Sequence, residues 1–171
     1  MKMPMVALLS LSACLLTGCV SPQHELVLDP IGPPSSSSAG AGPSGTLVVY
    51  SAFDPHADFN DLPYVRHYTD YQIVSADGSL RHMIYNTNGQ SLDAPKRVEL
   101  PVGTYRVMAD ANGYGLVTVP VVIRANQTTT VHLEGNASWS NNTALLRSNP
   151  VRLPDGEIAG WRASPDNAIK P

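Results

Sequence analysis

From Thr104 to Ala111 the chain alternates without a break. Tyr105, Val107, Ala109 and Ala111 share one face, while Thr104, Arg106, Met108 and Asp110 share the other. A two-residue period of this kind predicts a β-strand with one buried face. Turn signals bracket it: Pro101-Val102-Gly103 before, where proline presets φ and glycine allows a tight reversal, and Asn112-Gly113 after. Leu116 to Ala125 is the next apolar run, with Val117, Val119, Val121 and Ile123 on one side. Pro120 on its other side predicts an edge or a bulge. Asn126-Gln127 then turns the chain into a further strand, Thr128 to Leu133.

The same signals extend upstream. Leu47-Val48-Val49-Tyr50 is a β-rich first strand, and the folded domain is expected to begin at Thr46. Tyr68 to Ala76 and Leu80 to Asn86 flank Asp77-Gly78 as a hairpin. Asn88-Gly89 marks another turn, and Arg97 to Leu100 is a short strand leading into the central motif. Phe53 to Tyr68 is too long for a hairpin connection, and long loops in compact domains often carry function. The total is about seven short strands at regular spacing with no amphipathic helix, which predicts an all-β fold, an antiparallel β-sandwich. After Gly135 the chain turns polar. Val151 to Arg162 then predicts a small hairpin around Pro154-Asp155-Gly156 that cannot stand alone and must pack on the sandwich or on a partner. Ala163 to Pro171 is expected to fray.

Composition adds an address. Lys2 followed by the apolar run Val6 to Leu16 is an export signal. That run is shorter than the roughly 20 apolar residues a transmembrane helix needs. It ends in Leu16-Thr17-Gly18-Cys19, which resembles the lipobox of bacterial lipoproteins. The resemblance implies cleavage before Cys19, acylation of its thiol, and anchoring in a membrane. Val20 in place of aspartate implies the outer membrane. Of the 2 cysteines, Cys14 would leave with the signal, so the exported domain would hold no disulfide. The expected organisation is a signal peptide over residues 1–18, a lipidated cysteine and flexible linker over 19–45, the sandwich over 46–135 and an extension over 136–171. The linker assignment rests on Pro30, Pro33, Pro34 and the serine run Ser35 to Ser38; Leu26-Val27-Leu28 is its one apolar piece.

Leu100-Pro101-x-Gly103-x-Tyr105, the alternation after it, Gly113-Tyr114 and the run Val119 to Val131 together resemble carboxypeptidase regulatory-like domains. These are transthyretin-like (prealbumin-like) β-sandwiches, mostly non-catalytic, and the resemblance covers roughly Thr46 to Gly135. It implies an accessory or binding role. Tyr105 also looks like the tyrosine that closes a sandwich corner by bonding backbone through its hydroxyl.

Candidate chemistry is sparse. Net charge is −3 with dispersed charges, which gives no basic patch for nucleic acid. His56, His67, His82 and His132 lack metal-ligand spacing, and His132 is expected on a solvated strand face. Asp54, His56, Asp58, Asn60 and Asp61 suit a hard cation, yet the EF-hand order is missing and Asp and Asn are ordinary loop formers. No G-x-S-x-G or phosphate loop is present. No cofactor and no catalytic residue is therefore expected. Tyr64, Tyr68, Tyr114, Trp139 and Trp161 are the candidate binding residues, since exposed rings stack on sugars or anchor partners. The expected function is a lipid-anchored, non-enzymatic envelope lipoprotein acting as a binding or scaffolding module, with an envelope protein or polysaccharide as partner; the alternative is a carbohydrate-binding module for surface or envelope polysaccharide.

Overall fold

Residues 25–34, 42–53, 68–86, 94–135 and 149–163 are described by the computed structural model of this chain, and every regular element among them is a strand. In chain order these are β1 (Leu26–Val27), β2 (Ile31–Gly32), β3 (Ser44–Tyr50), β4 (Tyr71–Ser75), β5 (Arg81–Ile84) and β6 (Arg97–Pro101). They continue with β7 (Gly103–Ala111), β8 (Gly115–Ile123), β9 (Thr128–His132), β10 (Pro150–Arg152) and β11 (Ile158–Arg162). The larger sheet runs β10-β11-β2-β8-β7-β4-β5, with β1 also paired to β8, and the smaller sheet runs β6-β3-β9.

The alternating central motif forms the longest hairpin, β7 on β8, in register from Gly103↔Ile123 to Ala111↔Gly115. Its apolar face is buried as expected: Tyr105, Val107, Ala109, Val117, Val119 and Val121 pack with Tyr71 and Ile73 of β4. Leu47 and Val49 of β3 and Val131 of β9 close the same core from the smaller sheet. Two sheets thus share one apolar interior, a sandwich-like all-β architecture. The Asp77-Gly78 turn forms where expected, with Gly78 at φ 75° and β4 paired to β5.

Two expectations are corrected. The sheets are mixed rather than antiparallel: β3 lies parallel to β9, Thr46↔Thr128 to Tyr50↔His132, and β1 and β2 both lie parallel to β8. Second, residues 25–34 are not linker. Leu28 and Ile31 are buried, and Leu26 packs against the core. The cause is the free side of β8, whose backbone groups need partners and whose inward valines leave an apolar margin. Pro120 explains why this added strand comes in two pieces. β1 pairs as far as Thr118 and β2 resumes at Val121, so the ladder breaks where proline has no N–H to give. The first long strand also starts two residues early, at Ser44.

The C-terminal hairpin packs on the sandwich, with Val151, Leu153 and Ala159 in the core and β11 paired to β2. Gly160 permits this closeness. A Cβ there would lie 2.7 Å from Ile31 Cγ2 and 3.0 Å from the Thr130 carbonyl.

Strand direction gives the molecule two ends. The far end holds the turns around Asp77, Val102 and Asn126, with Pro43 accepting from Val102 N–H and Ser44 from Asn126 N–H. The near end gathers Tyr50 to Phe53, Tyr68 to Asp70, Asp110 to Leu116 and Leu133 to Gly135. Its sheets are joined by Ala52 N–H to Asp110 O at 2.7 Å and Asn112 N–H to Leu133 O at 2.9 Å.

Candidate functional site

The near end carries a connected polar and aromatic cluster. Tyr50 and His132 are cross-strand partners on β3 and β9, and their rings stack at 4.5 Å, 7° from parallel. Tyr68 meets Tyr50 edge-on at 5.6 Å, and Phe53 lies 5.3 Å from Tyr68. His132 Nδ1 is 2.8 Å from Glu134 Oε1. Glu134 is almost fully buried, and its other oxygen has no hydrogen-bond partner. The expectation of a solvated His132 is corrected: its side chain is 13% exposed, because Tyr50 covers one face and Glu134 holds the ring nitrogen. Asn112 locks the cluster, accepting from Phe53 N–H at 3.2 Å and donating through Nδ2 to the Glu134 carbonyl.

The C-terminal hairpin closes the near end from another side. Asp155 N–H donates to the Tyr114 hydroxyl at 2.9 Å. Glu157 has its carboxyl pKa raised, first by desolvation and then by the charges of Asp155 and Glu134. Among the described residues, no group of three or more His, Cys, Asp and Glu side chains is arranged to hold a metal ion. The Glu134 carboxyl is tied to the His132 ring two residues before it.

A second feature is more accessible. The outer face of the larger sheet carries a shallow groove of about 240 Å³ lined by Asp70, Gln72, Met83, Met108, Asp110 and Leu116, with Tyr71 and Ala109 beneath. Pairing makes this a row across three strands: Met83 opposes Gln72, and Gln72 opposes Met108. Met83 and Leu116 are exposed, as are the two aspartates at the groove's edge. Asp70 Oδ1 accepts from Asn86 N–H at 2.9 Å, which fixes its position. Flexible, polarizable methionine side chains suit an apolar partner surface of irregular shape. The flanking carboxylates favour a partner that carries positive charge.

The predicted aromatic residues are dispersed. Tyr68 and Trp161 are buried, at 7% and 6% exposure, and Tyr114 is half-buried against the C-terminal turn. Tyr68 joins the near-end cluster, while Trp161 sits in β11 opposite Gly32. Tyr64, Trp139, Cys19 and the Asp54–Asp61 loop lie outside the described residues. Residue-type reasoning missed Tyr50, Glu134 and the two methionines. The signals were there: His132 and Glu134 are two apart, hence on the same side, and Met108 falls on the polar face of an alternating strand.

Comparison of the chain with protein-family models, with curated proteins and with solved structures finds no match. Fold and site define it as an all-β, two-sheet protein with a braced end and an open, methionine-lined sheet face.

Proposed function

We propose that this chain is a lipid-anchored protein of the bacterial outer membrane whose transthyretin-like sandwich acts as a binding or scaffolding module and not as an enzyme. The anchor is Cys19, on the strength of Leu16-Thr17-Gly18-Cys19 at the end of an export signal. The corner bond between Tyr105 and Pro101 and the long β7–β8 hairpin support kinship with the carboxypeptidase regulatory-like domains. The observation that carries the binding role is the groove on the open sheet face, apolar along Met83 and Met108, acidic at Asp70 and Asp110, and bounded at the near end by Leu116. Its partner is an envelope protein segment that presents apolar and basic side chains together.

A polysaccharide ligand is the second reading. It draws support from Tyr85, half exposed just past the end of β5, but a sugar platform needs several rings in one plane. Cys19→Ala tests the anchor by fractionation: the variant leaves the membrane if the reading holds. A photo-crosslinker at Met83, used in intact envelopes, tests the site. A discrete protein adduct supports the module reading, and adducts to glycan alone transfer the role to the alternative.

A further inference from the structure

The N-terminal strand changes how such a protein would be mounted. A linker running to residue 45 would let the domain wander tens of ångströms from its anchor. Instead, Leu26 already pairs with Val117, and Glu25 bonds the Thr118 hydroxyl through its carboxylate. Glu25 lies six positions after Cys19. Six residues span at most about 22 Å even when fully extended. Because β1 runs parallel to β8 and starts beside its first residues, this leash leaves the molecule from the near end.

That end also presents an apolar pair. Val27 and Leu116 are 59% and 52% exposed, the two most exposed large hydrophobic residues among those described. Val27 opposes Thr118, two positions from Leu116 on the same face of β8, so the two are diagonal neighbours. The acidic groups beside them, Glu25 at Thr118 and Asp110 opposite Leu116, oppose deep insertion into hydrocarbon and restrict contact to the headgroup level.

We infer that, on the lipid-anchored reading, the domain sits near end down on the bilayer, with Val27 and Leu116 touching lipid and the turns at Asp77, Val102 and Asn126 facing away. The occupant of this apolar edge is the membrane surface itself, because the six positions from Cys19 to Glu25 keep the near end within about 22 Å of the anchor, and the exposed Val27 and Leu116 lie at that end. It follows that the methionine groove stands beside the bilayer, within reach of a partner that is itself membrane-attached.

The experiment uses full-length acylated protein in phosphatidylethanolamine/phosphatidylcholine vesicles that carry doxyl-labelled lipid. With Cys19 acylated, a fluorophore can be placed on one introduced thiol, in Leu116→Cys or in Val102→Cys, both exposed sites. Quenching at position 116 should exceed that at position 102 at least threefold. Inserting twenty Gly/Ser residues between Val20 and Glu25 should reduce it to the level at 102 while the protein still floats with vesicles. Equal quenching at the two positions in floating protein, or quenching untouched by the insertion, overturns the mounting and leaves the anchor standing. Flotation of the Cys19→Ala protein like wild type overturns the anchor and the mounting together.

Discussion

The Tyr105 hydroxyl donates to the carbonyl oxygen of Pro101 at 3.0 Å. Pro101 ends β6 in the smaller sheet and Tyr105 belongs to β7 in the larger, so this bond pins the corner where the chain crosses between sheets. Tyr105→Phe keeps the ring and loses the bond, a cost of about 0.5–1.5 kcal/mol. Tyr105→Ala also empties a core position and should cost about 3–5 kcal/mol, a large share of the roughly 5–15 kcal/mol that holds a typical domain. Urea unfolding of both variants measures this. Equal loss in the two would mean the hydroxyl, not the ring, dominates, contrary to the packing.

Acid should loosen the far end at the β4–β5 turn. Asp77 accepts from the Ser75 hydroxyl and from the Ser79 N–H and hydroxyl, and these bonds hold its carboxyl pKa down at about 2, against an ordinary 3.8. A lowered folded-state pKa means stability that is complete above about pH 4 and lost as pH falls through about 2. A carboxyl-detected NMR titration should place Asp77 well below the ordinary aspartate value of 3.8. Asp77→Asn should flatten the acid limb of stability; an unchanged limb would contradict the bonding scheme.

The N-terminal strand should be as necessary as any central one. Ile31 is fully buried between β8 and β11, and Ile31→Ala should cost about 2–5 kcal/mol. Gly160→Ala forces a Cβ within 3 Å of the same isoleucine and should destabilise comparably by overpacking, about 1–3 kcal/mol. A domain trimmed to begin at Thr46 should melt well below the full chain. If trimming left the melting temperature within a few degrees, the strand would be dispensable and the linker assignment would return.

Local pattern made the β7–β8 hairpin, the Asp77-Gly78 turn and the Tyr105 corner legible, because each depends on residues close in sequence. The segment 25–34 was not legible, since its three prolines, with the serine run that follows, signal extension without saying whether an edge awaits it. Only the fold brings β8's unpaired side within reach, a pairing across about ninety residues. For the same reason the parallel pairing of β3 and β9 could not be read from strand periodicity, which is identical in either direction. Candidate rings were chosen by residue type, and type does not distinguish Trp161, which fills the core, from Tyr85, which meets solvent.

His132 and Glu134 should behave as a coupled pair. Removing His132 leaves a carboxylate almost fully buried and short of a partner, so His132→Ala should cost about 1–3 kcal/mol. Glu134→Gln keeps the shape and removes the charge. A double-mutant cycle should give a coupling of at least about 0.5 kcal/mol between the positions. Strict additivity would mean the two side chains are neighbours without an energetic link.

Charge and shape in the groove should decide partner capture. Met83 and Met108 flank Gln72 on an outer sheet face whose opposite face is solid core, so replacing them leaves the packing beneath intact. Met83→Asp places a charge in the apolar row and adds to the acidic rim, which would strand an unpaired carboxylate under any docked apolar side chain. Capture of a crosslinked envelope protein should fall at least tenfold, about 1.4 kcal/mol, with melting temperature nearly unchanged. Asp70→Asn and Asp110→Asn together should weaken capture less, and the loss should shrink at high salt, because rim charges mainly steer association and are screened. Tyr85→Ala separates the two ligand classes: it should leave protein capture within a few-fold of wild type and abolish any polysaccharide retention. Loss of glycan binding with intact protein capture would give the groove and the ring separate ligands, whereas capture indifferent to Met83→Asp would remove the groove from the function altogether.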